Sequence, residues 1–178
     1  MRIFLGISLP DRTREVLAGI CYGLEGARWV SPENFHVTLV FLGEISSDKV
    51  EQVHEICAST IVKPFSISLH GLGWFRQKSP SILYAGVDRS LELQGLQKSL
   101  ESGCRRYGFS VEKREYIPHV TIGRLRDVAQ DKVMIYLNEF ESIDFPAFEV
   151  SEFHVYSSRS GSEGPIYRIE DSFSLGES

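Results

Sequence analysis

Three cysteines in 178 residues, Cys21, Cys57 and Cys104, are too few, too widely spaced and too odd in number for a disulfide framework. With no C-x-x-C pair they do not suggest structural zinc either. A reducing compartment follows as the simplest expectation. No apolar run approaches the ~18 residues needed to span a membrane. The apolar start Ile3–Leu9 passes at once into Pro10-Asp11-Arg12 without a small-residue cleavage site, so it reads as a strand and not as a leader. A basic excess is also missing: the net charge is -5 and the pI about 5.6, which argues against a protein that coats nucleic acid non-specifically. These features give the expectation of a soluble, cytoplasmic protein. No His/Cys/Asp/Glu set has metal-ligand spacing, and neither a metal nor a cofactor is expected.

What is present suits a folded unit. Hydrophobic residues make up 42% of the chain, enough for a substantial core. Arg2–Ser8 reads as a strand, followed by a helix from Asp11 to about Leu24. An extended piece at Trp29-Val30 precedes a strand at Phe35–Gly43 and a helix over Asp48–Thr60. Next come extended Phe65–Phe75, a turn at Gln77–Ser81, strand Ile82–Val87 and the longest helix, Leu91–Tyr107, stopped by Gly108. A strand at Tyr116–Leu125, a helix at Asp127–Leu137 and tail strands Ala147–Ser157 and Pro165–Glu170 complete the pattern, with a flexible loop at Ser158–Gly164.

One feature occurs twice. His36-Val37-Thr38-Leu39 and His119-Val120-Thr121-Ile122 each sit in an apolar strand, a little under half the chain apart. Side chains alternate along a strand, so each histidine shares a face with the threonine roughly 6–7 Å away. Alternation puts Phe35, Val37, Leu39 and Phe41 on the helix side, with His36, Thr38 and Val40 opposite. The expected fold is α+β: one domain, 1–178, of two pseudo-symmetric lobes of antiparallel sheet packed with helices. A central cleft would be lined by one His-x-Thr strand from each lobe.

Two imidazoles and two hydroxyls meeting there can break a phosphate ester without metal. Histidine is available as acid or base near neutrality, and hydroxyls can stabilise charge on phosphoryl oxygens. A single His-x-Thr carries little weight; the matched pair carries much more. The stretch from Cys104 to Arg126 holds six basic residues against two acidic ones, which would attract an anion or else form a solvated basic face. Strict alternation puts Arg124 opposite His119 and Thr121, so it either joins them through a bulge after Thr121 or serves a structural ion pair. His54 reads as a core or boundary histidine on its helix; nothing supports His70 or His154 in the site. Phe4, Phe41, Trp74 and Tyr167 could stack a base, but core packing explains them as well.

The strings His36-Val37-Thr38-Leu39-Val40-Phe41-Leu42-Gly43-Glu44 and Pro118-His119-Val120-Thr121-Ile122-Gly123-Arg124 resemble the paired signatures of the two-histidine (2H) phosphoesterases. Within them the likeness is to the LigT-like RNA 2′,3′-cyclic phosphodiesterases, also called 2′-5′ RNA ligases. It extends from Arg2-Ile3-Phe4 through Leu83–Val87 to Tyr167. The resemblance implies metal-independent opening of RNA 2′,3′-cyclic phosphate ends to 2′-phosphates, with possible reversible 2′-5′ joining. It implies that His36 is the proton donor, His119 the proton acceptor, and that Thr38 and Thr121 hold the phosphate. The partner would be RNA or an oligonucleotide with a cyclic end, and the protein is expected to be a monomer. Two alternatives remain at this point: a small substrate such as ADP-ribose cyclic phosphate, or a nucleotide- or RNA-binding module without turnover.

Overall fold

A computed structural model describes residues 1–76 and 80–176. Most of the expected turn at Gln77–Ser81 lies outside the described residues. Strands β1 (Arg2–Ser8), β2 (Ala27–Trp29), β3 (His36–Glu44), β4 (Phe65–Ile67), β5 (Leu69–Phe75) and β6 (Ser81–Val87) come first along the chain. They are followed by β7 (His119–Leu125), β8 (Phe148–Val150), β9 (Glu152–Gly161) and β10 (Gly164–Ser174). The helices are α1 (Asp11–Ala18), α2 (Val50–Ala58), α3 (Leu91–Arg106) and α4 (Gln130–Glu139).

Each histidine strand lies in its own antiparallel sheet. One sheet has the order β10-β9-β1-β3, the other β2-β7-β6-β5, and β4 pairs with β8 as a separate ribbon. The apolar faces of both sheets join one continuous core, in which Leu5, Ile7, Val37, Leu83, Val120 and Ile122 meet Leu17, Leu93, Leu96, Leu100 and Tyr136 of the helices. The expected α+β architecture with antiparallel sheets and packed helices is present. β3 runs beside β7, and the Tyr116 hydroxyl donates to the Thr38 carbonyl at 2.9 Å, tying the two sheets together.

Neither motif strand alternates strictly. On β3, Thr38 pairs with Gly6 and Val40 with Leu5, which leaves Leu39 as an extra residue. On β7, Thr121 pairs with Tyr84 and Gly123 with Leu83, leaving Ile122 extra. Each bulge falls three residues after its histidine and flips the faces beyond it. Two expectations change as a result. Phe41 lies on the exposed face under the Arg2 guanidinium, while Val40 is buried. Arg124 moves to the half-buried face that carries His119 and Thr121, realising the bulge alternative.

Other boundaries shift for local reasons. α1 ends at Ala18, well before Leu24, although Ile20 and Leu24 still reach the core. The Tyr136 hydroxyl takes the Ile20 carbonyl that a longer helix would have used. α3 runs as expected: the Ser90 hydroxyl caps the Leu93 N–H at 3.0 Å, and Gly108 turns the chain at φ +77. α2 is preceded by a short 3-10 turn at Ser47–Lys49. The expected loop at Ser158–Gly164 is instead a tight connection between two long paired strands, β9 and β10.

Candidate active site

The two histidines are held by the same device. His36 Nδ1–H donates to the Asn34 carbonyl at 2.7 Å, and His119 Nδ1–H donates to the Ile117 carbonyl at 2.7 Å. A carbonyl only accepts, so in the neutral ring the proton sits on Nδ1 and Nε2 is the bare nitrogen. The bond also fixes the ring plane. In each case the carbonyl belongs to the residue two before the histidine, where the chain enters the strand. Asn34 ends a 3-10 turn, Pro32–Asn34, and its own amide donates to the Pro165 carbonyl at 2.9 Å, anchoring that entry to β10. Ile117 precedes Pro118, which disfavours the helical region and keeps the approach extended.

Thr38 follows His36 on the same face, and its hydroxyl donates to His36 Nε2 at 3.0 Å. Thr121 takes the equivalent place on β7. A ligand accepting from the Thr38 hydroxyl would therefore release the His36 nitrogen for proton transfer. Aromatic rings wall each imidazole. Phe4, Tyr167 and Tyr156 lie 4.7, 5.1 and 5.7 Å from the His36 ring, whereas Phe75 and Tyr84 lie 5.0 and 5.5 Å from that of His119. Of these, Phe4 and Tyr167 were among the sequence candidates. Phe75, Tyr84 and Tyr156 were missed as site residues, because their contribution depends on which strands pair.

Burial pushes the His36 imidazole down to about 4, against the upward pull of the Asn34 hydrogen bond. The positive fields of His119 and Arg124 push it further in the same direction. Both groups lie on β7, which runs beside β3. Among the described residues Arg124 forms no ion pair with a carboxylate, so the structural ion-pair alternative gives way to a guanidinium on the histidine face. Two other members of the basic stretch behave differently: Arg105 pairs with Glu101 and Arg114 with Glu112 on the exposed surface.

The remaining candidates stand apart from the motif strands. His54 is not on a buried stripe as expected; it is exposed and faces Asp171 at 3.3 Å. His154 is a buried core histidine held between Ser8 and Ser172 at 3.1 and 2.8 Å. His70 is exposed on β5, and half-buried Trp74 lies under the Arg76 guanidinium. Among the described residues no three His, Cys, Asp or Glu side chains gather as metal ligands, and no helix is long and apolar enough to cross a membrane. The three cysteines are free thiols, and burial raises the pKa of each.

The model of the 2′-5′ RNA ligase superfamily matches residues 25–162, a span that takes in both His-x-Thr strands. The chain belongs to this superfamily. Two relatives described as RNA 2′,3′-cyclic phosphodiesterase, from Thermotoga maritima and Archaeoglobus fulgidus, are 36% and 32% identical to it. The first alignment covers 95% of this chain and 92% of the relative, the second 94% and 97%. Among solved structures, apo E. coli LigT is 25% identical with a TM-score of 0.81, over 99% of this chain and 98% of LigT. LigT complexed with 3′-AMP also has a TM-score of 0.81, at 26% identity and the same coverage. The likeness of this 2′-5′ RNA ligase superfamily member to LigT thus extends over the whole α+β architecture, beyond the two motifs.

Proposed function

We propose that this protein opens RNA 2′,3′-cyclic phosphate ends to 2′-phosphates without a metal, using its two histidines as acid and base. The observation that carries this reading is the doubled motif. Two imidazoles, each oriented by a main-chain carbonyl, are set in adjacent strands with a threonine beside each and Arg124 on the same face. Names of the relatives and the 3′-AMP complex of LigT support the substrate class.

The roles follow the motif. His119 Nε2 takes a proton from water as the water oxygen bonds to phosphorus. The bond from phosphorus to O3′ breaks, and His36 Nε2–H protonates that oxygen, leaving the phosphate on O2′. Hydroxyls of Thr38 and Thr121, with the Arg124 guanidinium, hold the non-bridging oxygens as charge shifts onto them. With a 5′-hydroxyl in place of water as the nucleophile, the same proton groups form a 2′-5′ linkage as the bond from phosphorus to O3′ breaks, which is the ligation direction.

His36 is neutral at pH 7 in the empty cleft, yet it acts here as the acid. An anionic phosphate beside the ring opposes the fields of Arg124 and His119 and raises its proton affinity. Substrate binding thus loads the acid. One chain supplies both histidines, both threonines and the aromatic walls, so the protein works as a monomer. The reduced cysteines fit a cytoplasmic setting.

The test is an oligonucleotide ending in 2′,3′-cyclic phosphate, incubated with the protein in EDTA, with product phosphorus resolved by NMR. A 2′-phosphate is expected. A 3′-phosphate, or turnover that needs added divalent metal, overturns the proposal.

A further inference from the structure

Beside His36 lies a cavity of about 380 Å³ that the two motifs do not explain. Its lining includes His36, Tyr156 and Tyr167, with half-buried Arg14 from α1, exposed Arg168 from β10 and Glu33 from the 3-10 turn. The volume falls in the range of small-molecule sites. Aromatic faces, two guanidinium groups and a carboxylate together suit a nucleotide better than a bare anion. Rings can pack on the base or ribose, a carboxylate can accept from a ribose hydroxyl, and a guanidinium can bind a phosphate.

Arg14 is the unusual member. Its Nε is buried and has no hydrogen-bond partner among the described residues. Among the described residues no carboxylate pairs with its guanidinium either. A buried, unsatisfied donor on a charged group is costly and calls for a partner that arrives from outside. Arg14 also lies within electrostatic reach of Tyr156. Burial pushes that phenol up to about 12, and the Arg14 charge acts against the rise. Arg14 therefore addresses the same end of the cavity as the ring that packs beside His36.

We infer that this cavity receives the nucleotide bearing the cyclic phosphate, and that Arg14 binds the phosphate on that nucleotide's 5′ side. The inference rests on the proposed role of His36. The acid must face the leaving O3′, so the ribose lies on the His36 side of the phosphorus and water on the His119 side. The cavity opens against the His36 ring, where that ribose and its 5′ substituent extend. A substrate with a phosphate at this position engages Arg14; a nucleoside 2′,3′-cyclic phosphate does not. The preferred substrate class is therefore a 3′-terminal cyclic phosphate on an oligonucleotide or a 5′-phosphorylated nucleotide.

Three substrates with the same terminal nucleoside test this: adenosine 2′,3′-cyclic phosphate, its 5′-phosphorylated form, and the dinucleotide ApA ending in 2′,3′-cyclic phosphate. The native protein is expected to favour the latter two by about tenfold in kcat/KM, mainly through KM, the scale of one charge-assisted hydrogen bond. Arg14→Gln is expected to abolish most of that preference and Arg14→Lys to retain part of it. Because the preference is a ratio measured within one variant, any loss of folded protein cancels. Raising salt should erode the preference in the native protein more than in Arg14→Gln. Equal kcat/KM on all three substrates in the native protein, or an unchanged ratio in Arg14→Gln, overturns the subsite and leaves the proposed reaction standing. No turnover of any of the three overturns the reaction itself, and the subsite with it.

Discussion

Acidification should destabilise the fold through His36 in a way that one substitution can isolate. An ordinary histidine has a pKa near 6.5, and burial holds His36 at about 4 in the fold. Between those values the unfolded chain binds the proton and the folded chain does not, so stability falls as pH drops. The contribution is fully present above pH 6.5 and is nearly exhausted at pH 4. At 1.36 kcal/mol per unit, the difference amounts to about 3 kcal/mol at pH 4 and about 1 kcal/mol at pH 5.5. Urea unfolding at pH 7, 5.5 and 4, for the native protein and His36→Gln, reads it directly. His154 is also held below its ordinary value by burial, but it is common to both proteins and cancels in the comparison. The native protein should lose about 3 kcal/mol more than His36→Gln on going from pH 7 to pH 4. Parallel losses in the two proteins would refute the buried, neutral state of His36.

Two further perturbations follow from the same geometry. The pH profile of kcat/KM should be bell-shaped with its acid limb near pH 4; Arg124→Gln, by removing one depressing charge, should shift that limb upward while lowering the rate. A limb that stays in place would separate Arg124 from His36. Gly73→Ala would set a methyl group against the ring of Tyr84, with Cε2 only 2.7 Å away, and the ring is braced between Phe75 and His119. A destabilisation of about 1–3 kcal/mol together with slower turnover is expected. Unchanged urea midpoint and rate would show that the ring moves freely.

The motif strands were legible because period-two apolar alternation and a repeated His-x-Thr need only local sequence. The capped helix α3 and its glycine stop were legible for the same reason. The faces of Phe41 and Arg124 were not. Each depends on a bulge at Leu39 or Ile122, and a bulge is a property of how a strand pairs with its neighbour. A clue lay in the sequence itself: both copies run two apolar residues or an apolar residue and glycine after the threonine, at Leu39-Val40 and Ile122-Gly123, so the same register shift recurs. The α1 boundary was lost to a tertiary hydrogen bond from Tyr136, 116 residues away, which no local pattern encodes. His54 shows the reverse error. Its spacing fitted a buried stripe, but α2 turns that position outward to Asp171 on β10. Arg14 carried no sequence signal, since only its buried, unsatisfied Nε distinguishes it from other helix arginines.

Single-turnover cleavage of an oligonucleotide ending in 2′,3′-cyclic phosphate, by the native protein, His36→Ala and His119→Ala, tests paired-histidine catalysis most directly. Each substitution should slow the chemical step at least about 10²-fold, the lower end for a positioned acid or base. A near-native rate in either variant would contradict the account and move the chemistry elsewhere on the molecule.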